Sequence, residues 1–129
     1  MRKFKSGSVR SENKGKIEFY GYRHPLVEKS FGEYMLKHQI QEDGKKRQAN
    51  NWWGGWSKDV SLQSLIRHLE DLTALCSGYR VFKVRDKNGE KTVYTHKNIK
   101  GEEVTEEDSC NAIRFNISAY LLEVLKKSN

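Results

Sequence analysis

The residues best suited to bind or transform a ligand lie in one short stretch. Trp52, Trp53 and Trp56 occur within five positions, interrupted only by Gly54-Gly55, and they follow Asn50-Asn51 and the consecutive cations Lys45-Lys46-Arg47. Indole faces stack on nucleobases, a guanidinium holds phosphate, and glycine lets backbone approach a ligand closely. The combination suits a nucleotide, with Arg47, Asn51, Trp52 and Trp56 as candidate contacts. The same residues also have a structural use. Tryptophans can plug the open end of a small helical core, and Lys45 to Arg47 can be a solvated turn.

Further along, Arg67-His68 precede Glu70-Asp71. At about 100° per helical residue, Arg67 and Asp71 share a face, and His68 borders the apolar stripe beside Leu65 and Leu72. A cation and an imidazole there can hold a phosphate or a sugar, although His68 also suits a packed, hydrogen-bonded border position. Asn111 and Asn116 are poor helix formers in a helical segment; they satisfy a neighbouring loop's backbone, or Asn111 reads a base or ribose edge. A metal-dependent reaction needs carboxylates converging from at least two helices. The densest acidic run, Glu102-Glu103-Val104-Thr105-Glu106-Glu107-Asp108, straddles a loop and a helix start, where the helix dipole alone favours acids. Glu28 and Glu33 are five apart and diverge by about 140°. A hydrolase would have to draw its ligands from Glu70, Asp71, Glu107 and Asp108, with Mg²⁺ or Mn²⁺; a binding protein would need no metal or cofactor. The sequence has no Gly-rich phosphate loop, no Ser or Cys nucleophile constellation and no Cys/His zinc spacing.

The elements that must position these residues follow from periodicity. An irregular or extended arm over 1–24 carries Ile17, Phe19 and Tyr20, expected to dock on the body. Pro25 suits a first helical position, and Val27, Phe31, Tyr34, Met35 and His38 form the stripe of an amphipathic helix over 25–41. Residues 42–59 are the Trp-rich basic loop, with Asp59 or Ser61 as the next N-cap. Leu62, Leu65, Ile66, Leu69, Leu72 and Cys76 predict a helix over 60–76, closed by Gly78. The β-branched and aromatic residues of 80–95 surround Asn88-Gly89, a pair suited to a turn with positive φ at both positions, and predict a β-hairpin. Thr105 then caps a last helix over 105–127, whose Lys126 and Lys127 complement its dipole. The expected fold is mainly α: a single small three-helix domain, 1–129, with an inserted hairpin and an irregular N-terminal arm.

Composition bounds what this domain can do. The 129 residues include 24 Lys+Arg against 17 Asp+Glu, a formal charge of +7, and residues 1–60 hold 13 of those cations against 7 acids. An anionic partner is therefore expected on the N-terminal half. The near-neutral second half and the lack of a known binding motif argue against nucleic acid. No stretch approaches the roughly 18–20 apolar residues of a spanning helix, and Met1 to Lys5 lead into no apolar signal core, so neither membrane insertion nor secretion is expected. Cys76 and Cys110 read as free buried thiols in a reducing cytoplasm.

Four segments together resemble a known family. They are Phe4-x-Ser6-Gly7 through Gly15-Lys16-Ile17, Arg47-x-x-Asn50-Asn51-Trp52-x-x-Gly55, Arg67-His68-Leu69, and Cys110-Asn111-Ala112-Ile113. They are similar to the phage-encoded domain known as dATP/dGTP diphosphohydrolase, N-terminal type, over most of the chain except the hairpin. The resemblance implies a phage or prophage origin, an α-helical fold and a purine nucleotide ligand, with Asn51, Trp52, Arg67, His68 and Asn111 as the matching positions. The chain departs from relatives where they carry Gly-x-x-His before the last helix, having Glu106-Glu107-Asp108 instead. In longer proteins the domain accompanies a catalytic module. The expectation is a phage-type nucleotide-binding protein in the cytoplasm of the bacterial host. It would be a homo-oligomer that captures a purine nucleotide or a nucleotide-derived immune signal as an anti-defence sponge. Trp52 or Trp56 would stack on the base and Arg47, Arg67 and His68 would hold phosphates. The alternative is a metal-dependent (d)NTP diphosphohydrolase releasing pyrophosphate from dATP or dGTP.

Overall fold

The computed structural model describes Arg2–Lys3, Val9–Arg10, residues 15–40 and residues 43–128. Strands β1 (Arg2–Lys3) and β2 (Val9–Arg10) pair antiparallel, so the described part of the arm is not wholly irregular. A 3₁₀ turn at Tyr20–Tyr22 follows. The arm's apolar residues do not dock as expected: Ile17, Phe19, Tyr20 and Tyr22 are 68% to 88% exposed.

Helix α1 spans Pro25–Gln39, with Pro25 in the first turn and the His24 Nδ1 accepting from the Leu26 N–H. It ends at Gln39, since Ile40 is extended; Gln41 lies outside the described residues. Helix α2 spans Lys58–Cys76, starting two residues before the expected helix over 60–76. Ser57 occupies the cap position without a side-chain bond, and Asp59 sits in the first turn. At its other end Gly78 has φ 94°, the Gly78 N–H donates to the Leu75 carbonyl, and the Tyr79 N–H reaches back to Ala74. That is the left-handed glycine stop anticipated from the sequence. Helix α3 spans Glu106–Ser128, and Thr105 Oγ1 accepts from the Asp108 N–H.

Strands β3 (Arg80–Asp86) and β4 (Gly89–Thr95) form the expected hairpin. Its turn differs in detail: Lys87 and Asn88 keep negative φ, Gly89 alone takes φ 112°, and Asp86 Oδ1 accepts from the Asn88 N–H. The mainly α expectation is corrected by what happens on the other edge of β3. A third strand, β5 (Glu102–Val104), pairs antiparallel there, placing Val81 opposite Val104, and the sheet order is β4-β3-β5. The domain is therefore α+β, three helices with a three-stranded antiparallel sheet.

The central strand supplies the core. Val81 and Phe82 are both buried although successive residues face opposite sides, so the sheet is covered on both faces at this point. Val81 packs with Ala74, Leu75 and Val104, joining the end of α2 to the sheet. Polar ties do much of the remaining joining. Tyr94 Oη donates to Asp71 Oδ1 at 2.8 Å, and Arg114 of α3 forms a bidentate pair with Glu28 of α1. Helices α2 and α3 run antiparallel, with the Lys58 ammonium 5.7 Å from the Tyr120 ring centre. Cys76 and Cys110 are free as expected but exposed, not buried. Among the described residues no helix is long and apolar enough to cross a membrane.

Candidate functional site

The Trp-rich segment is held in place by its own backbone. Ile40 and Lys46 form an isolated antiparallel bridge, the Arg47 N–H donates to the Gln39 carbonyl at 2.8 Å, and Gln39 Nε2 donates back to the Arg47 carbonyl at 3.0 Å. These bonds fix Arg47 against the end of α1. The chain then makes a 3₁₀ turn over Asn51–Gly54 and leaves it through Gly55 at φ 110°. A Cβ there would lie 3.1 Å from Glu123 Oε1, so glycine serves both the backbone angle and the close approach to α3. Lys126 completes the anchorage by donating to the Trp53 carbonyl at 2.7 Å.

This loop, α1, α2 and α3 enclose a cleft of about 410 Å³, within the range of small-molecule sites. Its aromatic wall is Trp52 and Trp56, both edge-to-face with Phe115 of α3 at centroid distances of 5.7 and 6.3 Å. Trp52 is half-buried and Trp56 exposed. The tryptophans therefore cover Phe115 and also line an open cleft, combining the two uses that the sequence left open. Arg47, Asn51, Lys37 and Asn116 add polar groups. Asn116 Nδ2 donates to the Ala112 carbonyl, so its amide nitrogen is engaged within the helix.

Tyr34 and His38, one turn apart on α1, lie against each other with ring centres 4.2 Å apart and planes tilted by 60°, and line the cleft from the opposite element. Burial, reinforced by Lys37, holds the His38 imidazole below its ordinary pKa, and burial pushes the Tyr34 hydroxyl up. The cleft thus presents neutral aromatic groups with Arg47 as its cation; Lys37 is tied to Glu102 at 3.7 Å.

The other expected contacts lie elsewhere. Arg67 is exposed and does not line the cleft, but it donates to Ser64 Oγ at 2.9 Å, and Ser64 does. His68 lines a second cavity of about 190 Å³, where burial, then Lys83, depress its pKa. Asn111 is buried and donates to Ser30 Oγ at 2.9 Å, a tie between α3 and α1. The structure therefore brings Arg47, Asn51, Trp52 and Trp56 together without Arg67, His68 and Asn111. Tyr34, Lys37, Phe115 and Ser64 also line the cleft and were not singled out from the sequence. For Tyr34 a signal existed, its i, i+4 relation to His38 beside the loop; Phe115 carries none, because only the fold sets it under the tryptophans.

The carboxylates do not assemble a metal site. Asp71 accepts from Tyr94, Glu107 accepts from Ser30 Oγ at 2.9 Å, and Glu70 is exposed. Among the described residues no group of three or more His, Cys, Asp or Glu is placed to hold a metal ion. Glu70, Asp71, Glu107 and Asp108 do not form such a group. No family model, no curated protein and no solved structure matches this chain.

Proposed function

We propose that the protein binds a purine nucleotide in the 410 Å³ cleft, as a homo-oligomer and without turning it over. The observation that carries this reading is the union, in one open cleft, of Trp52, Trp56 and Phe115 with Arg47, whose backbone is held to the end of α1. A planar base needs an aromatic wall, and its phosphate a guanidinium within reach. Calorimetric titration with purine mono-, di- and cyclic nucleotides tests the reading. At least one should bind with micromolar affinity, and Trp52→Ala should weaken it by about 10-fold or more, since stacking contributes about 1–3 kcal/mol per base. No binding across the panel would overturn it. Capture without turnover is also what a sponge for a nucleotide-derived immune signal requires, and cyclic and ADP-ribose signals in the panel test that extension.

Self-association is part of the reading because the helices leave apolar stripes uncovered. Leu62, Ile66 and Leu69 on α2 and Ile117 and Leu121 on α3 are between 42% and 52% exposed. Two antiparallel helices with such stripes form half of a four-helix bundle, which a second copy completes through a two-fold axis. Light scattering should give twice the chain mass, and Ile66→Glu with Ile117→Glu should give one. A monomeric wild type at about 100 μM would remove this part of the proposal.

A further inference from the structure

The second cavity is not used by the reading above. It lies between α1, α2, the sheet and the start of α3, and it shares Tyr34, Lys37 and His38 with the larger cleft, so the two spaces adjoin along these residues. Its polar inventory is unusual for a structural void. Ser109 is 1% exposed, and its Oγ has no hydrogen-bond partner. Buried hydroxyls are otherwise nearly always satisfied, so a donor or acceptor from outside the chain is called for. Lys83 of β3 also lines the space and makes no ion pair with any of the described residues.

The charges then select among ligands. Glu103 is closed off by a bidentate pair with Arg80 at 2.8 Å, and Glu102 is paired with Lys37. That leaves one cation, Lys83, one carboxylate, Asp108, two imidazoles and the hydroxyls of Tyr34 and Ser109. Both imidazoles, His38 and His68, are held toward the neutral form by burial. A site with balanced charge does not favour a phosphate, whose recognition draws on a net positive field. It does suit a group carrying several hydroxyls, each able to donate to Asp108 and accept from Lys83 or Ser109.

We infer that this 190 Å³ cavity is a sugar subsite that takes the pentose of a nucleoside whose base lies against Trp52 and Phe115. The assignment rests on the nucleotide reading above and gives it a second, uncharged determinant. It also returns His68 to the ligand, as a wall of the sugar pocket and not as a phosphate contact.

The test is a set of calorimetric titrations of the full chain with adenine, adenosine, free ribose and inorganic phosphate, in the wild type and in Lys83→Met, Ser109→Ala and Asp108→Asn. Circular dichroism establishes that each variant is folded, and the three chemically different changes guard against any one of them failing. The wild type should bind adenosine at least about 10-fold more tightly than adenine. The folded variants should lose about 5- to 10-fold in adenosine affinity, as expected for one hydrogen bond to a charged group or a buried hydroxyl, with adenine unchanged within about 2-fold. Free ribose should not displace adenosine at equal concentration, because the base anchors it. Equal adenine and adenosine affinities, variants that weaken both equally or neither, or phosphate competing in a Lys83-dependent way would each overturn the sugar assignment. If neither adenine nor adenosine binds the wild type, the sugar assignment fails and the nucleotide panel alone decides the nucleotide reading; adenine binding that Trp52→Ala abolishes, without a gain for adenosine, preserves that reading and overturns the subsite.

Discussion

Tyr94→Phe tests whether Asp71 is a latch between helix and sheet. Asp71 is only 6% exposed, and the hydroxyl of Tyr94 donates to its Oδ1 at 2.8 Å. Removing that hydroxyl leaves a buried carboxylate short of a donor. A hydrogen bond to a charged group contributes about 1.5–3 kcal/mol when fully buried. Tyr94 is 45% exposed, so water replaces part of the loss, and about 1–2 kcal/mol is expected at pH 7, or about 3–8 °C in Tm for a domain of this size. The same bond predicts a pH dependence. Burial first, then the hydrogen bond and charge of Asp71, push the Tyr94 pKa from 10.0 up to about 12. Because the folded value is the higher one, this contribution is complete below pH 10 and is lost as the pH rises toward 12. Two units would correspond to about 2.7 kcal/mol, and the exposure of Tyr94 reduces that to about 1 kcal/mol. Urea denaturation of both proteins, followed by circular dichroism at pH 7, 9, 10.5 and 11.5, should show a gap that narrows in the last two steps. A gap below about 0.3 kcal/mol at pH 7, or one that stays constant to pH 11.5, would refute the latch. If the latch holds, lost activity in an Asp71 variant reports lost structure before it reports a lost ligand.

Asn111→Ala should destabilise the fold by about 1–2 kcal/mol in the same denaturation assay, since it removes the donor to Ser30 at a buried helix contact, while nucleotide affinity per folded molecule stays within about 2-fold. Glu28→Gln should flatten the acid limb of stability. Arg114, through its hydrogen bonds and charge, holds the Glu28 carboxyl below its usual 4.5, so the wild type keeps that contribution above pH 4.5 and loses it as the pH falls further, whereas the variant is weaker at pH 7 and has no such loss. Acid titrations of the unfolding midpoint, run side by side, check both halves of that statement.

What could be read from the sequence was local. Pro25, Gly78, Thr105 and the β-branched runs around Asn88-Gly89 act on their neighbours, and the structure places a helix start, a helix stop, a cap and a hairpin where they stand. Strand β5 was not legible because nothing in Glu102-Glu103-Val104 alternates strongly. It is a strand only through pairing with β3, where Val104 meets Val81 across about 20 residues of chain. The burial of the helices was misread for a related reason. The strongest apolar period, Leu62, Ile66 and Leu69, is left half-exposed, while α2 buries Ser61, Asp71 and Ala74. The candidate site divided along the same line. Arg47, Asn51, Trp52 and Trp56 sit in one loop and arrive together, whereas the places of Arg67, His68 and Asn111 depended on which helix faces turn inward.

That inversion has a physical consequence for function. A chain whose elements are tied through Asp71 with Tyr94, Glu28 with Arg114 and Asn111 with Ser30 gains specificity of arrangement, because each of these bonds has one geometry. It does not gain much hydrophobic stabilisation: Val81 and Phe82 are its largest fully buried apolar side chains. The apolar stripes that would ordinarily supply that stabilisation are displaced to the outside of α2 and α3. Association of two chains through those stripes would therefore stabilise the same helices that wall the cleft, α2 through Ser64 and α3 through Phe115 and Asn116. Under the proposed reading, oligomerisation and ligand binding would then be linked by mass action: whatever favours the assembled form would also raise the population of chains with Trp52 and Trp56 seated on Phe115, and ligand in the cleft would strengthen assembly in return.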